Sequence, residues 1–297
     1  MARSRGKRGT DWSKIATVVS TMTAVVALLF TGLSLRETQR QSEIAERGQM
    51  TDRFSRAVDH FGSGDVLIRL GGIQELHSIA RDSERDLPAI AAMLSAAVRK
   101  LRSFEAPCQY KRIDMETKAL LDALATVDAG ASVDLSNSCL HLMSVRHARL
   151  RCAQLQFSRL NAAILTDADL TGADLSSVHL GAPDQPDTHP VGATLTGARL
   201  VSARMGRARL THALLQKADL SNADLRGADL TGAYLKGAKL RGTNLTGTVL
   251  SGADLSDTDL AGAFIKDADF RNASITRESA IRSGAVDTDT YKQTTIC

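Results

Sequence analysis

The sequence predicts a mainly β solenoid over its C-terminal half, preceded by a transmembrane helix and a small all-α region. Three observations predict it. Leucine recurs every five residues from Leu135 onward, an uncharged stretch lies near the N-terminus, and the apolar residues between them fall at helical spacing. Aromatic residues are only 4% of the 297 against 43% hydrophobic overall. Any core is therefore filled by Leu, Ala and Val, and aromatic rings contribute little.

The first element is a basic tail, residues 1–14. Arg3, Arg5, Lys7, Arg8 and Lys14 against Asp11 leave +4 there, the formal net charge of the whole chain. The other residues sum to zero, so the basicity that suggests a nucleic-acid binder belongs to a tail. Ile15–Leu35 (15–35) comes next and carries no charge. At ~1.5 Å per residue it would reach about 31 Å, the thickness of a bilayer's hydrocarbon core. No A-x-A cleavage site precedes Arg36, which argues against a signal peptide. A single-pass membrane anchor is expected, although Thr17, Ser20, Thr21, Thr23, Thr31 and Ser34 dilute its hydrophobicity. More basic residues precede this stretch than come after it (Arg36, Arg40, Arg47), so the N-terminus is expected in the cytoplasm. The side on which the repeat region lies rests on this thin margin alone.

Residues 36–128 read as helical. Met50, Phe54, Ala57, Val58 and Phe61 form one apolar stripe; Leu70, Ile73, Leu76, Ile79 and Ala80 a second; Leu87, Ile90, Leu94, Val98 and Leu101 a third. Ser83, with Asp86 three residues on and then Pro88, reads as a helix start. The short link DSERD makes the second and third helices antiparallel neighbours. A further helix near Asp114–Val127, carrying Leu120, Leu121 and Leu124, is expected to cover the N-terminal end of the repeat region.

Residues 129–277 repeat every five. Of the 29 multiples of five from 135 to 275, 22 are Leu, and 19 of the 29 positions two residues earlier are Ala. A helix would spread this period around its circumference, and a simple strand would send alternate copies to opposite faces. A solenoid buries both columns. Gly172, Gly197, Gly227 and six further glycines fall two residues after the Leu column, where the chain must turn a corner.

The runs ADLTGADLSS and ADLSNADLRGADLTGAYLKGAKLRG resemble the pentapeptide-repeat proteins. That resemblance implies a right-handed quadrilateral β-helix with twenty residues per coil. The segment ERGQMTDRFSRAVDHFGSGDVLIRLGGIQELHSIARDSERD is similar to the region before the repeats in membrane-linked bacterial members. At ~4.8 Å per coil the rod would be about 35 Å long. On such a coil Arg199, Arg204 and Arg209 stack beneath Asp219, Asp224 and Asp229, so ladder pairs of opposite charge are expected. Residues 181–190, GAPDQPDTHP, interrupt the pattern without shifting its phase and read as a surface loop, with a recognition loop as the alternative. Residues 278–297 read as a C-terminal tail.

No catalytic, cofactor-binding or metal site is expected. Cys139, His141, His147 and Cys152 have zinc-ligand chemistry but point from different sides of the coil. His60, His77, His179, His189 and His212 are isolated. The four cysteines, Cys108 and Cys297 among them, show neither a CxxC nor the density of a disulfide scaffold. No phosphate-binding glycine motif occurs. The expected function is a non-enzymatic, membrane-tethered interaction scaffold with an unknown protein partner. The resemblance implies an alternative, mimicry of DNA to protect gyrase. Residues 131–275 carry 15 Lys and Arg against 14 Asp, too balanced for that role or for binding nucleic acid.

Overall fold

A computed structural model describes residues 12–103, 108, 113–128, 130, 133–182, 192–288, 291 and 296–297. The chain divides into two compact units, with the boundary between Arg56 and Ala57.

Helix α1, Trp12–Phe61, contains the stretch expected to span a membrane. That expectation is corrected. Among the described residues no helix is long and apolar enough to cross a membrane, so single-pass placement and its orientation are not supported. The helix does not stop at Leu35 but continues through Arg36, Glu37 and Arg40, and over its whole length it is as polar as it is apolar. Of its described apolar side chains, Met22, Phe30, Leu33 and Leu35 are exposed, while Phe54, Ala57 and Val58 nearer its end are half-buried or buried. Most of the basic tail lies outside the described residues.

The second unit begins with helices that pack on one another: α2 (Val66–Asp82), α3 (Leu87–Leu101) and α4 (Met115–Thr126). Asp65 starts α2 by accepting the Leu67 N–H at 2.8 Å, and Asp114 starts α4 by accepting that of Thr117 at 2.7 Å. The α3 start differs from expectation. Ser83 and Asp86 bond each other and close the interhelical turn, and Asp86 makes no side-chain cap to the helix it precedes. Ile73, Leu76, Ile79, Ile90, Leu94, Val98, Leu120 and Leu124 fill the core. Gly72 is required where α2 crosses the end of α1, because a Cβ there would overlap the Phe61 backbone.

From Asp134 the chain coils with four sides. Each outward residue pairs in parallel with the one twenty residues on, as in Asp134 with Gln154 and Asp224 with Asn244. The Leu225 N–H donates to the Asn244 carbonyl above at 2.8 Å, and the Asp224 N–H to the Ala203 carbonyl below at 2.9 Å. At each corner a tight turn closes, as when the Ala228 N–H donates to the Leu225 carbonyl at 3.0 Å. The Leu and Ala columns are buried throughout the coil. Where Thr243 and Thr248 replace Ala, their hydroxyls donate to the carbonyls of Leu220 and Leu225, both at 2.8 Å, so neither of these two buried hydroxyls is stranded.

Across the interruption the pairing interval rises from twenty to thirty, as in Ile164 with Thr194, and then returns to twenty. On the two flanks of the interruption the Ala182 N–H donates to the Thr211 carbonyl at 2.8 Å and the Gly192 N–H to the His212 carbonyl at 3.0 Å. Residues 183–191, which include His189 and most of the interruption, lie outside the described residues. The first edge of the coil is closed by the helices, since the Arg149 N–H donates to the Ala125 carbonyl of α4 at 2.7 Å and Ser103 pairs with Ser138. Beyond the last coil comes a short helix, α5 (Arg277–Arg282).

Candidate interaction surface

The ladder sorts the outward residues into four sides. Side 1 carries Asp134, Gln154, Asp174, Arg204, Asp224, Asn244 and Phe264; side 2, Cys139, Arg159, His179, Arg209, Asp229, Val249 and Asp269. Side 3 carries Ser144, Ile164, Thr194, Leu214, Tyr234 and Asp254; side 4, Arg149, Asp169, Arg199, Asp219, Lys239 and Asp259. Side 4 alternates in charge at every step. Side 3 is the apolar one, with Ile164 and Leu214 half-buried and Tyr234 exposed.

The aspartates do more than line these sides. Asp254 accepts both the N–H and the hydroxyl of Ser256, at 3.0 and 2.6 Å, and Asp169, Asp219 and Asp229 bind their own turns in the same way. These are Asx-turns, in which a short carboxylate substitutes for a backbone acceptor. The Ser256 bonds hold Asp254 below the ordinary carboxylate pKa, and Arg271 does the same for Asp269. The repeated Asp is thus a local turn-former, a role that ladder spacing alone does not reveal.

The expected charge ladder is half right. Arg199, Arg204 and Arg209 do pair through the backbone with Asp219, Asp224 and Asp229. The side chains choose otherwise. Arg204 reaches down to Asp174 at 2.7 Å, whereas the buried Asp224 is clasped by Arg226 of its own turn, also at 2.7 Å. At Asp224 the two-residue reach within one turn orders fewer bonds than a reach between coils, so the local partner wins there, whereas Asp219 keeps a ladder partner of opposite charge one coil on, Lys239 at 3.5 Å.

The cysteines were legible in number but not in pairing. Cys108 bonds Cys139, and Cys152 bonds Cys297, each with a Cα separation of 5.7 Å. The residues of zinc-ligand type are therefore dispersed: Cys139 and Cys152 lie in different disulfides, and His147 faces Asp167 at 3.9 Å. His141 is buried with its Nε2 3.1 Å from the Cys108 sulfur. Burial, then Arg159 and Arg102, push its pKa down to about 4. Among the described residues no group of three or more His, Cys, Asp or Glu could hold a metal ion. An open cleft between the helices and the first coils is lined by Arg81, Glu84, Pro88, Asp128 and Arg149, with charges of both signs and no convergence on one point.

The family model for pentapeptide repeats matches residues 148–181, 203–242 and 238–277, in eight copies. The coil is built of pentapeptide repeats. No curated protein matches the chain. Among solved structures, the pentapeptide-repeat coil is similar to QnrB1, a plasmid-mediated fluoroquinolone resistance protein, at 19% identity over 52% of this chain and 84% of that one, TM-score 0.33. It is similar to Rfr23 from the cyanobacterium Cyanothece 51142 at 32% identity over 39% and 62% of the two chains, TM-score 0.17. HetL of Nostoc sp. strain PCC 7120, involved in heterocyst differentiation regulation, matches at 30% identity over 45% and 81%, TM-score 0.15.

Proposed function

We propose that the pentapeptide-repeat coil is a non-enzymatic scaffold that docks a protein partner along side 3. The observation that carries this reading is the asymmetry of the sides. Sides 1, 2 and 4 are dominated by charged and polar residues, whereas Ile164, Leu214 and Tyr234 form an apolar strip on a flat, hydrogen-bonded wall. Thr196, Gln216, Lys217 and Lys236 flank the strip at the adjoining corner. An apolar centre with a polar rim, fixed on rigid backbone, suits a protein interface, and the exposed tyrosine at the end of the strip is an anchor of the usual kind. The partner's matching surface is apolar with a polar margin.

DNA mimicry is the weaker reading, because cationic side chains occupy sides 1, 2 and 4 and no side is a continuous anionic track. The docking reading is tested by crosslinking in the native cell with the wild type and with Leu214→Asp/Tyr234→Asp. The same side already carries Asp254, so aspartate is compatible with the wall and the variant keeps its fold. Loss of a discrete crosslinked species is the expected result. An unchanged pattern, with circular dichroism confirming both proteins folded, overturns the assignment.

A further inference from the structure

Of the four sides, only side 4 carries a charge at every step. From the helical end it reads Arg149, Asp169, Arg199, Asp219, Lys239 and Asp259, one residue per coil at ~4.8 Å intervals. Arg149, Arg199, Lys239 and Asp259 are exposed, and Asp169 and Asp219 are half-buried. Asp219 meets Lys239 at 3.5 Å. Among the described residues, Arg149, Asp169, Arg199 and Asp259 make no ion pair, although a residue of opposite charge stands one coil away from each.

A column of even length that alternates in charge presents the opposite charge at every step when it is turned end for end. A second copy laid antiparallel on side 4 therefore sets its Asp259 against Arg149, its Lys239 against Asp169 and its Asp219 against Arg199. Each pair occurs twice, about a two-fold axis that passes between the levels of Arg199 and Asp219. Other registers oppose like charges. Sliding one copy by one step sets Arg199 against Arg199 and Asp169 against Asp219, and a parallel pair in register sets every residue against itself. Such juxtapositions are costly across an interface, so one alignment is selected.

The flanking corners follow the same reversal. The two-fold brings the corner between sides 3 and 4 against itself, where the charged or titratable residues are Arg146 and His147, then Asp167, Lys217, Lys236 and Asp257. Arg146 falls against Asp257 and Asp167 against Lys236, while Lys217 meets only Thr196 and Gly197. At the corner between sides 4 and 1, Arg151 falls against Ala261 and Arg241 against Thr171. No like charges meet along either corner. A parallel pair staggered by one step also matches side 4, but it opposes Lys217 to Arg241.

We propose that side 4 is a self-complementary surface through which two copies of this chain pair antiparallel about this two-fold axis. Exposed ion pairs contribute little singly, so the array supplies orientation and register, and the association weakens as salt rises. The pairing goes beyond docking along side 3 and does not rest on it. The same axis turns the side 3 walls of both copies to one face of the pair, so the apolar strip stays open.

Two variants of the full-length chain test the pairing by analytical ultracentrifugation at low salt. Arg199→Asp opposes carboxylates across the axis, and Asp219→Arg opposes guanidinium groups. The wild type is expected to dimerise, and each variant alone to self-associate at least about tenfold more weakly. An equimolar mixture of the two variants restores opposite charges at both positions and is expected to recover the dimer, which a defect within either chain cannot do. A monomeric wild type, variants that dimerise as the wild type does, or a mixture that stays monomeric overturns the proposal. Zero-length carbodiimide crosslinking of the wild type needs no variant and fixes the orientation. Asp169 and Lys239 of one chain lie three steps apart, about 14 Å at ~4.8 Å per step, too far to couple directly. An Asp169–Lys239 crosslink in the dimer band therefore joins two copies, and a crosslinked dimer that lacks it refutes the antiparallel axis.

Discussion

The helical cap and the pentapeptide-repeat coil bury leucines equally well but by different means. In the cap, Ile73, Leu94 and Leu124 come from three helices and meet only when all three are packed. In the coil, Leu225 stacks between coils above and below, and each coil touches only its neighbours. The cap is therefore one cooperative unit, and the coil a series of nearly equivalent ones. Removing one side chain from each breaks the comparison most forcefully. Leu225→Ala and Leu94→Ala should each cost about 3 kcal/mol, the usual range for a buried leucine. Their reach should differ. Hydrogen exchange is expected to quicken only in the coils flanking residue 225 for the first, and across α2, α3 and α4 together for the second. Uniform loss of protection throughout the coil after Leu225→Ala would show that the repeats act as one body.

Acid should separate the two regions next. His141 beside the cap has its pKa pushed down to about 4 by burial and by Arg159 and Arg102, and His77 in α2 is lowered by burial and Arg81. An unfolded histidine titrates near ~6.5. A depressed folded pKa contributes stability that is complete above the unfolded value and is lost as pH falls through the folded one. The cap and first coil should therefore weaken between about pH 6.5 and 4. The last coil relies on Asp254 and Asp269, whose lowered pKa values leave their contribution intact until pH falls below the unfolded carboxylate value of ~4. Region-resolved exchange at pH 7, 5 and 3 checks the order, and His141→Gln should flatten the first phase.

The Leu column was legible because every copy is buried, so selection of residue type at that position has one physical cause. Asp254 was half legible: its outward position comes from phase, but its bond to Ser256 depends on a side chain folding back on its own turn. Cys297 was not legible at all. Its partner Cys152 is 145 residues away, a separation at which no local pattern pairs two cysteines. The apolar stretch 15–35 reads as a span in the sequence, whereas among the described residues no helix is long and apolar enough to cross a membrane. Side 3 emerges only once pairing every twenty residues sorts Ile164, Leu214 and Tyr234 from their charged neighbours, with the interruption adding ten.

The corners offer the finest test. Nine of the coil's turn positions are glycine with φ between 62° and 69°, yet the equivalent Phe157 is held at 61° and Leu142 at 60°. A left-handed conformation strains any residue with a Cβ, by roughly 1 kcal/mol or somewhat more. Phe157 is 55% exposed, so removing its ring forfeits little burial. Glycine carries more freedom in the unfolded chain, which offsets part of the relief. Phe157→Gly should still stabilise the coil, by about 0.5 kcal/mol, whereas Gly227→Ala should destabilise it by about 1 kcal/mol. Denaturant midpoints at constant m-value measure both. If Phe157→Gly were instead destabilising, the ring would be making contacts worth more than the strain, and the corners could not be treated as interchangeable.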